Sequence, residues 1–209
     1  MSIMNVNPTR MELKRLQGRL KTASRGYKLL KDKTDEMIRK FIVLARQNKL
    51  LREEVETQLA DALQSYALAR TFSDSRAIDE AVMMPSRSVT LQCGRSSIMG
   101  INVPSIEIAE SHGDVYPYGF LTVPEQLDNS VNRLNAVFSK MVYLAQVEKT
   151  CNMLADEIEK NKRRVNALEN IMIPQMQETI KYIKMKLDED ERSSTVRLMK
   201  VKDMLAQKQ

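Results

Sequence analysis

Residues 10–55, RMELKRLQGRLKTASRGYKLLKDKTDEMIRKFIVLARQNKLLREEV, decide the fold of this 209-residue chain. Apolar or small residues recur along the stretch at alternating steps of three and four, without a glycine or proline from Tyr27 to Met84. This spacing places them on one helix face and is typical of a coiled-coil seam. The seam positions are Leu13, Leu16, Leu20, Ala23, Tyr27, Leu30, Thr34, Met37, Phe41, Leu44, Asn48, Leu51 and Val55. They predict a long helix that packs against a partner helix.

Two signals compete for the start of this first helix. Thr9 and Glu12 have the spacing of a capping box, in which the two residues satisfy unpaired amide groups reciprocally. Asn7 followed by Pro8 is the alternative cap, with proline at the first helical position.

The predicted seam changes its step and its width along the first helix. Beyond Val55 the apolar step becomes four and four, through Leu59 and Leu63, which predicts a slip of the coiled-coil register. Near the middle, the apolar stripe is widened by Ile38, Ile42 and Ala45. A wider stripe predicts additional contacts on that side.

A second helical arm follows residue 124. Thr122 and Glu125 form another possible capping box. The predicted seam contains Leu134, Val137, Met141, Leu144, Glu148, Cys151, Leu154, Ile158, Asn161, Val165, Leu168, Met172, Met176, Ile180, Ile183 and Leu187. Pro174 removes one backbone hydrogen bond and clashes with the carbonyl of Asn170, so we expect a kink there. Two long helices joined by a short insert predict an antiparallel pair.

The insert between the arms is rich in turn residues, with four of the six glycines and four of the six prolines between residues 85 and 124. β-Branched residues at 88–93 and 98–103 flank a glycine turn at 94–97, which predicts a β-hairpin. Residues 76–84 predict a short amphipathic helix, and residues 111–118 a loop. The predicted fold is mainly α: a long antiparallel two-helix coiled coil with a small β-hairpin-containing insert. Its parts are residues 1–75, 76–124 and 125–209.

Composition excludes several classes of protein. Aromatic residues make up 5% of the chain, glycine and proline number six each, and methionine numbers 14. These values favour long helices over an ordinary globular domain. No run approaches the roughly 18 apolar residues of a membrane span, and the first residues have no apolar signal-peptide core. With two cysteines and no disulfide framework, we expect a soluble intracellular protein in a reducing compartment.

The residues indicate no catalytic, cofactor or metal site. The single histidine, His112, lies in a Ser-His-Gly-Asp loop, and Cys93 and Cys151 are predicted strand and seam residues. Neither the nucleotide-binding pattern of spaced glycines nor the Walker pattern of a phosphate-binding loop occurs in the sequence. The acidic run at residues 188–191 has no oxygen-rich loop around it and fits a solvated helix face.

The net charge of +6 is unevenly distributed. Between Lys14 and Lys33 there are eight basic residues and one acidic residue, Asp32, whereas residues 76–125 are net acidic. The basic stretch is either a solvated helix face or a surface for an anionic partner. Nucleic acid, a membrane surface and a protein collar are the candidate partners. Few aromatic side chains are present for base stacking, and the basic face lacks the apolar flank of an interfacial helix.

Four motifs carry a resemblance to a known family. They are NVNPTRMEL at residues 5–13, GYKLLKDK at 26–33, VEKT at 147–150 and RRVNALE at 163–169 followed by Ile173-Pro174. Across nearly the whole chain, in order, the sequence resembles the D subunit of V-type and archaeal-type rotary ATPases. The insert matches least well, and the short length resembles prokaryotic members.

The resemblance implies a non-catalytic central rotor shaft on the cytoplasmic side of the cell membrane, peripheral to it. The implied partners are a hexamer of catalytic A and regulatory B subunits, the small F subunit and a funnel-shaped subunit on the membrane ring. Rotation of the shaft would couple ATP hydrolysis or synthesis to ion transport. No cofactor, nucleic acid or direct membrane insertion is implied.

The resemblance also suggests residue roles. Hexamer contacts are expected at Arg10, Lys14, Arg15, Arg19, Lys21, Arg163, Arg164, Asn166 and Glu169. Contacts with the F subunit or the funnel-shaped subunit are expected on the hairpin, at Val89, Leu91, Ile98, Ile101 and Val103. The γ subunit of F-type synthases is a rival, but the insert is too short for its larger central domain. A basic coiled-coil protein that binds nucleic acid or another anionic partner is the alternative from a different class.

Overall fold

The computed structural model describes residues 4–119 and 123–206. Two long helical regions flank a short helix and a hairpin, as the sequence predicts. The elements are α1 (Arg10–Phe72), α2 (Ser75–Met83), β1 (Ser88–Ile98), β2 (Ile101–His112), α3 (Glu125–Ala167), a π-helical turn (Leu168–Met172) and α4 (Ile173–Ala206). The chain divides into two compact units, Met1–Glu36 with Ile158–Gln209 and Met37–Glu157.

Helix α1 begins at Arg10, so the cap is Thr9 and the alternative start at Pro8 is wrong. The Thr9 hydroxyl accepts a hydrogen bond from the Glu12 amide at 3.2 Å, which satisfies one unpaired helical donor. The Glu12 carboxylate forms an ion pair with Arg15 at 3.1 Å. The second predicted cap, at Thr122, lies outside the described residues.

In the first unit, α1 packs antiparallel against α4. Leu16, Ile180 and Ile183 form the buried cluster. It is completed by the partly buried Met4, Leu13, Leu20, Tyr182 and Leu187. Burying apolar stripes from both helices removes their side chains from water, which stabilises helices of this kind more than intrinsic propensity does.

The helical pattern is interrupted just before Pro174. Leu168–Met172 forms a π-helical turn, and the Ile173 amide donates to the Leu168 carbonyl. Because Pro174 has no amide hydrogen and its ring crowds the preceding turn, a wider turn accommodates it. The disturbance predicted at Pro174 therefore takes the form of a π-bulge.

In the second unit, α1 packs antiparallel against α3. Ala69, Ile78 and Leu127 form a buried cluster that joins α1, α2 and α3. Further along, the Ser130 hydroxyl donates to the Ala62 carbonyl at 3.0 Å, so the two helices approach closely there.

The predicted register slip beyond Val55 is wrong. Val55, Ala62 and Ala69 are buried at a spacing of seven, so the heptad continues. Ala62 is 0% exposed, whereas the predicted seam residue Leu63 is 52% exposed. Small side chains occupy the seam because the helices are close together. In α3 and the π-helical turn, Leu134, Met141 and Met172 are likewise more exposed than their predicted seam positions suggest.

The insert contains the expected hairpin, but its turn is elsewhere. The strands pair antiparallel up to Ile98 opposite Ile101, and Gly94 lies within β1 opposite Ser105. The turn is Met99–Gly100, where both residues have positive φ, of 54° and 84°. Two consecutive left-handed residues are typical of a type I′ turn, which matches strand twist. Strand β2 also includes part of the predicted loop at residues 111–118.

The hairpin is docked on the helices of its own unit. The Ile106 amide donates to the Gln146 side chain of α3 at 3.0 Å. Near the turn, Ile98 lines a groove with Val43 and Leu44 of α1. An isolated two-stranded hairpin is marginal in water, so these contacts hold it in place.

We expect Ala62→Leu to lower the free energy of unfolding by about 1–3 kcal/mol, because a larger side chain must force the closely packed helices apart. Urea denaturation followed by far-ultraviolet circular dichroism measures the change. Leu63→Ala is the matched control and should change stability by less than about 0.5 kcal/mol. A larger loss from Leu63→Ala than from Ala62→Leu would contradict the continued heptad.

Candidate interaction surfaces

The five predicted contact residues on α1 differ in their pairing. Arg10 forms an ion pair with Glu191 of α4, and Arg15 pairs with Glu12. Lys14, Arg19 and Lys21 are exposed. The charges of Arg10 and Arg15 are therefore partly neutralised within the chain.

Lys21 lies in a surface groove between α1 and α4. The groove has a volume of about 590 Å³ and is lined by Gln17, Leu20, Lys21, Ser24, Arg25, Lys28, Ile180 and Lys184. Arg25 and Lys28 belong to the basic stretch identified from the sequence, whereas Lys184 comes from the other arm. The basic character of this groove thus depends on both helices.

The predicted contact residues on the returning arm also lie in the first unit. Arg163 forms an ion pair with Glu159 at 2.5 Å. Arg164 donates to the side-chain oxygen of the buried seam residue Asn161 at 3.2 Å. Asn166 is exposed. Arg163 and Arg164 therefore have local partners but remain at the surface.

Glu169, in the π-helical turn, acts electrostatically on Lys31 of α1. The pKa of Lys31 is raised above its ordinary value, first by its hydrogen bond to the Tyr27 hydroxyl and then by electrostatic interaction with Tyr27 and Glu169. The Lys31 ammonium lies 3.2 Å from that hydroxyl and 5.5 Å from the ring centroid, a cation–π geometry. Glu169 thus has an electrostatic role within the chain as well as the proposed contact.

The five predicted hairpin contacts are not equally available to a partner. Val103 is 2% exposed. Val89, Ile98 and Ile101 are half-buried. Leu91 is 43% exposed and lies opposite Ile108, which is 39% exposed. The Leu91–Ile108 pair is therefore an accessible apolar surface of the hairpin, whereas the buried Val103 is not available to a partner.

Several exposed apolar side chains lie outside the predicted sites. Ile38 and Ile42 of the widened stripe are exposed on α1, whereas Ala45 is half-buried. Others cluster near the end of α1 and on α2: Leu68, Phe72, Val82 and Met83, followed by Met84. The sequence could have indicated that these side chains are exposed, because they lie outside the heptad seam. Ile108 could not be identified in this way, because its pairing with Leu91 depends on the strand register.

The second unit also contains an interhelical ion pair. Lys140 of α3 donates to the Glu54 carboxylate of α1 at 2.5 Å. This hydrogen bond and the Lys140 charge hold the pKa of Glu54 below its ordinary value. Since both groups are surface-exposed, the pair orients the helices more than it stabilises them.

Cysteine, histidine and acidic side chains are the groups that could serve as nucleophiles, proton carriers or metal ligands. Burial, with a smaller effect of Glu148, raises the pKa of the Cys151 thiol, so the nucleophilic thiolate is disfavoured. His112 is exposed and bonds to Glu110 at 2.8 Å. Across residues 4–119 and 123–206, no group of three or more metal-ligating side chains comes together. Within the same ranges, every helix is too short or too polar to span a bilayer.

Comparisons with known proteins agree with the sequence resemblance. The family model for the D subunit of ATP synthase matches residues 12–203. The V-type ATP synthase D subunit of Thermoanaerobacter sp. (strain X514) is 49% identical over 206 residues, covering 98% of this chain and 99% of the relative. That of Acetivibrio thermocellus is 51% identical over 208 residues, covering 98% and 94%. That of Clostridium novyi (strain NT) is 47% identical over 213 residues, covering 100% and 99%.

These matches confirm the predicted family and give no support to the nucleic-acid-binding alternative. They extend over both helical arms and the insert, and they include the motifs at residues 26–33 and 163–169. The chain belongs to the family of the V-type ATP synthase D subunit, a component of the central stalk.

Proposed function

We propose that this chain is a non-catalytic rotor shaft that transmits torque between a hexamer of A and B subunits and an ion-transporting membrane ring. The observation that carries this proposal is the near-full-length identity to the D subunit of V-type ATP synthases. Nucleotide chemistry belongs to the hexamer, and the chain associates peripherally on the cytoplasmic side of the membrane.

The antiparallel helix pairing supports a mechanical role. In each unit, long helices bury a shared seam, so a twisting load is distributed over many side-chain contacts. The shaft carries different residues on its different sides. As it turns, it therefore presents a different set of contacts to each catalytic interface. Such differential contacts can bias the interfaces among open, loose and tight states.

Co-expression of the tagged chain with the A and B subunits, the F subunit and the funnel-shaped subunit tests the assembly. We expect all of them to co-purify in one complex with ATPase activity, and we expect the activity to be coupled to ion transport after reconstitution in vesicles. If a complex that lacks this chain had the same ATPase activity and the same ion transport as the complete complex, the proposed role as a rotor shaft would be contradicted.

Within this assembly, Arg163, Arg164, Asn166 and Glu169 contact loops of the hexamer, together with the basic residues of α1. Those on α1 are Arg10, Lys14, Arg15, Arg19 and Lys21. The exposure of Arg163 and Arg164 supports this role. Their hydrogen bonds to Glu159 and Asn161 orient the guanidinium groups. A planar guanidinium group can donate two parallel hydrogen bonds to a carboxylate, which suits a contact with acidic side chains of a loop.

We expect Arg163→Glu combined with Arg164→Glu to reduce ATP turnover of the assembled complex by at least about fivefold, the lower range of an allosteric coupling energy. Steady-state ATPase and single-molecule torque measurements provide the readout. Lys160→Glu with Lys162→Glu is the matched control, since these neighbouring lysines are exposed on the same helix and carry the same charge. Equal turnover in both variants would remove the assignment of the arginines.

The hairpin contacts the F subunit or the funnel-shaped subunit through Leu91 and Ile108. The exposure of this cross-strand pair supports the contact, because covering it in a partner removes apolar surface from water. Val89, Ile98 and Ile101 contribute at the margin of this surface.

We expect Leu91→Ser with Ile108→Ser to weaken binding of one of these two subunits by roughly 10- to 100-fold, because two apolar side chains lose their burial. Binding of each purified subunit, measured by calorimetry, identifies which one uses the hairpin. Gln92→Ser with Glu107→Ser changes the neighbouring exposed pair on the other face and should leave both affinities unchanged. Full affinity of the first variant for both subunits would contradict the hairpin contact.

A further inference from the structure

The basic groove between α1 and α4 concentrates positive charge that the chain itself leaves uncompensated. Lys21, Arg25 and Lys28 line it from α1, and Lys184 faces them from α4. In the part of the chain that the structure describes, none of the four forms an ion pair, and no acidic side chain lines the groove.

Four other cations of the same unit form ion pairs. Arg10, Arg15, Arg163 and Lys186 each have a carboxylate partner. Their pairing shows that acidic residues are present on these helices but are placed away from the groove. What distinguishes the groove is that four cations from both arms line it together without an acidic side chain.

The α1 cations are also arranged in a way that disfavours the isolated helix. Lys21 and Arg25 are four residues apart, and Arg25 and Lys28 are three apart, so all three lie on one face. Like charges at these spacings repel one another across a helix surface. A local arrangement that opposes stability without a compensating contact in the chain points to a functional surface.

The lining of the groove indicates the chemistry of its occupant. Leu20 and Ile180 give it an apolar floor, while Gln17 and Ser24 add hydrogen-bonding groups. None of the lining side chains is aromatic, so the groove offers no stacking surface for a nucleic-acid base. An open surface with a basic rim suits an acidic polypeptide segment better than a small anion, which needs convergent donors.

We infer that this groove binds an acidic segment of the surrounding hexamer, with carboxylates on Lys21, Arg25, Lys28 and Lys184 and an apolar side chain over Leu20 and Ile180. The inference rests on the proposed rotor function and adds a specific docking surface to it. Because the groove combines cations from both arms, it can hold the acidic segment only where α1 and α4 are paired.

Zero-length carbodiimide cross-linking of the assembled complex tests the contact directly. The reagent joins an ammonium group to a carboxylate only when the two touch, and mass spectrometry then identifies both residues. We expect Lys21, Lys28 and Lys184 to link to aspartate or glutamate of the A or B subunits. Links from these lysines to the F subunit alone, or none to the hexamer in an active complex, would overturn the inference and leave the rotor function standing.

A charge-reversal series tests the energetic role of the groove. We expect Lys21→Glu, Arg25→Glu and Lys28→Glu together to weaken binding to the hexamer at least tenfold at low ionic strength and to flatten its salt dependence. Exposed cations outside the groove provide the matched control, Arg46→Glu with Arg76→Glu and Lys149→Glu, which carries the same charge change and should retain affinity within about threefold.

Folding and the identity of the partner are checked separately. Far-ultraviolet circular dichroism and retained binding of the F subunit establish that the groove variant is folded. Unchanged hexamer affinity in the groove variant would overturn the inference. The inference would also be overturned if the wild-type complex bound duplex DNA in a salt-sensitive way and the groove variant did not. Failure of the wild-type chain to join the hexamer would instead reject the proposed rotor function.

Discussion

Burial of a shared apolar seam between antiparallel helices is the interaction on which the rest of this protein depends. A long helix with charged residues on most of its surface is marginal in water without a partner, because nucleation is unfavourable and propagation adds little per residue. Leu16 against Ile180 and Ile183 provides that partner in one unit, and Ala69 against Ile78 and Leu127 provides it in the other. The two-stranded hairpin would be marginal by itself, and it docks on α3 through the Ile106 amide and the Gln146 side chain.

The seam is not uniformly apolar, and its polar members have a specific consequence. Thr34 and Thr179 are buried and donate to carbonyls of their own helices at 2.7 Å. Among the described residues, the side-chain oxygen of Asn48 is buried without a hydrogen-bond partner. Buried polar groups at seam positions favour one register at a cost in stability. For a shaft, a single register keeps the pattern of surface residues constant as it turns.

The surface cations of the first unit include both paired and unpaired side chains. Arg10, Arg15 and Arg163 are paired within the chain, which orients their side chains and reduces their field. Lys21 and Arg25, with the other cations that line the groove, form no ion pair in the part of the chain that the structure describes. In our proposal, the unpaired cations of the groove bind an acidic segment of the hexamer. Such a contact explains why a net charge of +6 need not indicate nucleic-acid binding.

The sequence by itself determined the two helical arms, the hairpin and the family, because each rests on local periodicity, turn composition or contiguous motifs. It predicted the hairpin turn at residues 94–97, since glycine is the usual signal, but strand pairing selects Met99–Gly100. It favoured the bulky Leu63 over Ala62 for the seam, but the close approach of α1 and α3 leaves room only for the smaller side chain. Only the tertiary structure places Lys184 in the same groove as Lys21, because residues far apart in sequence become neighbours only when the helices pair in one register.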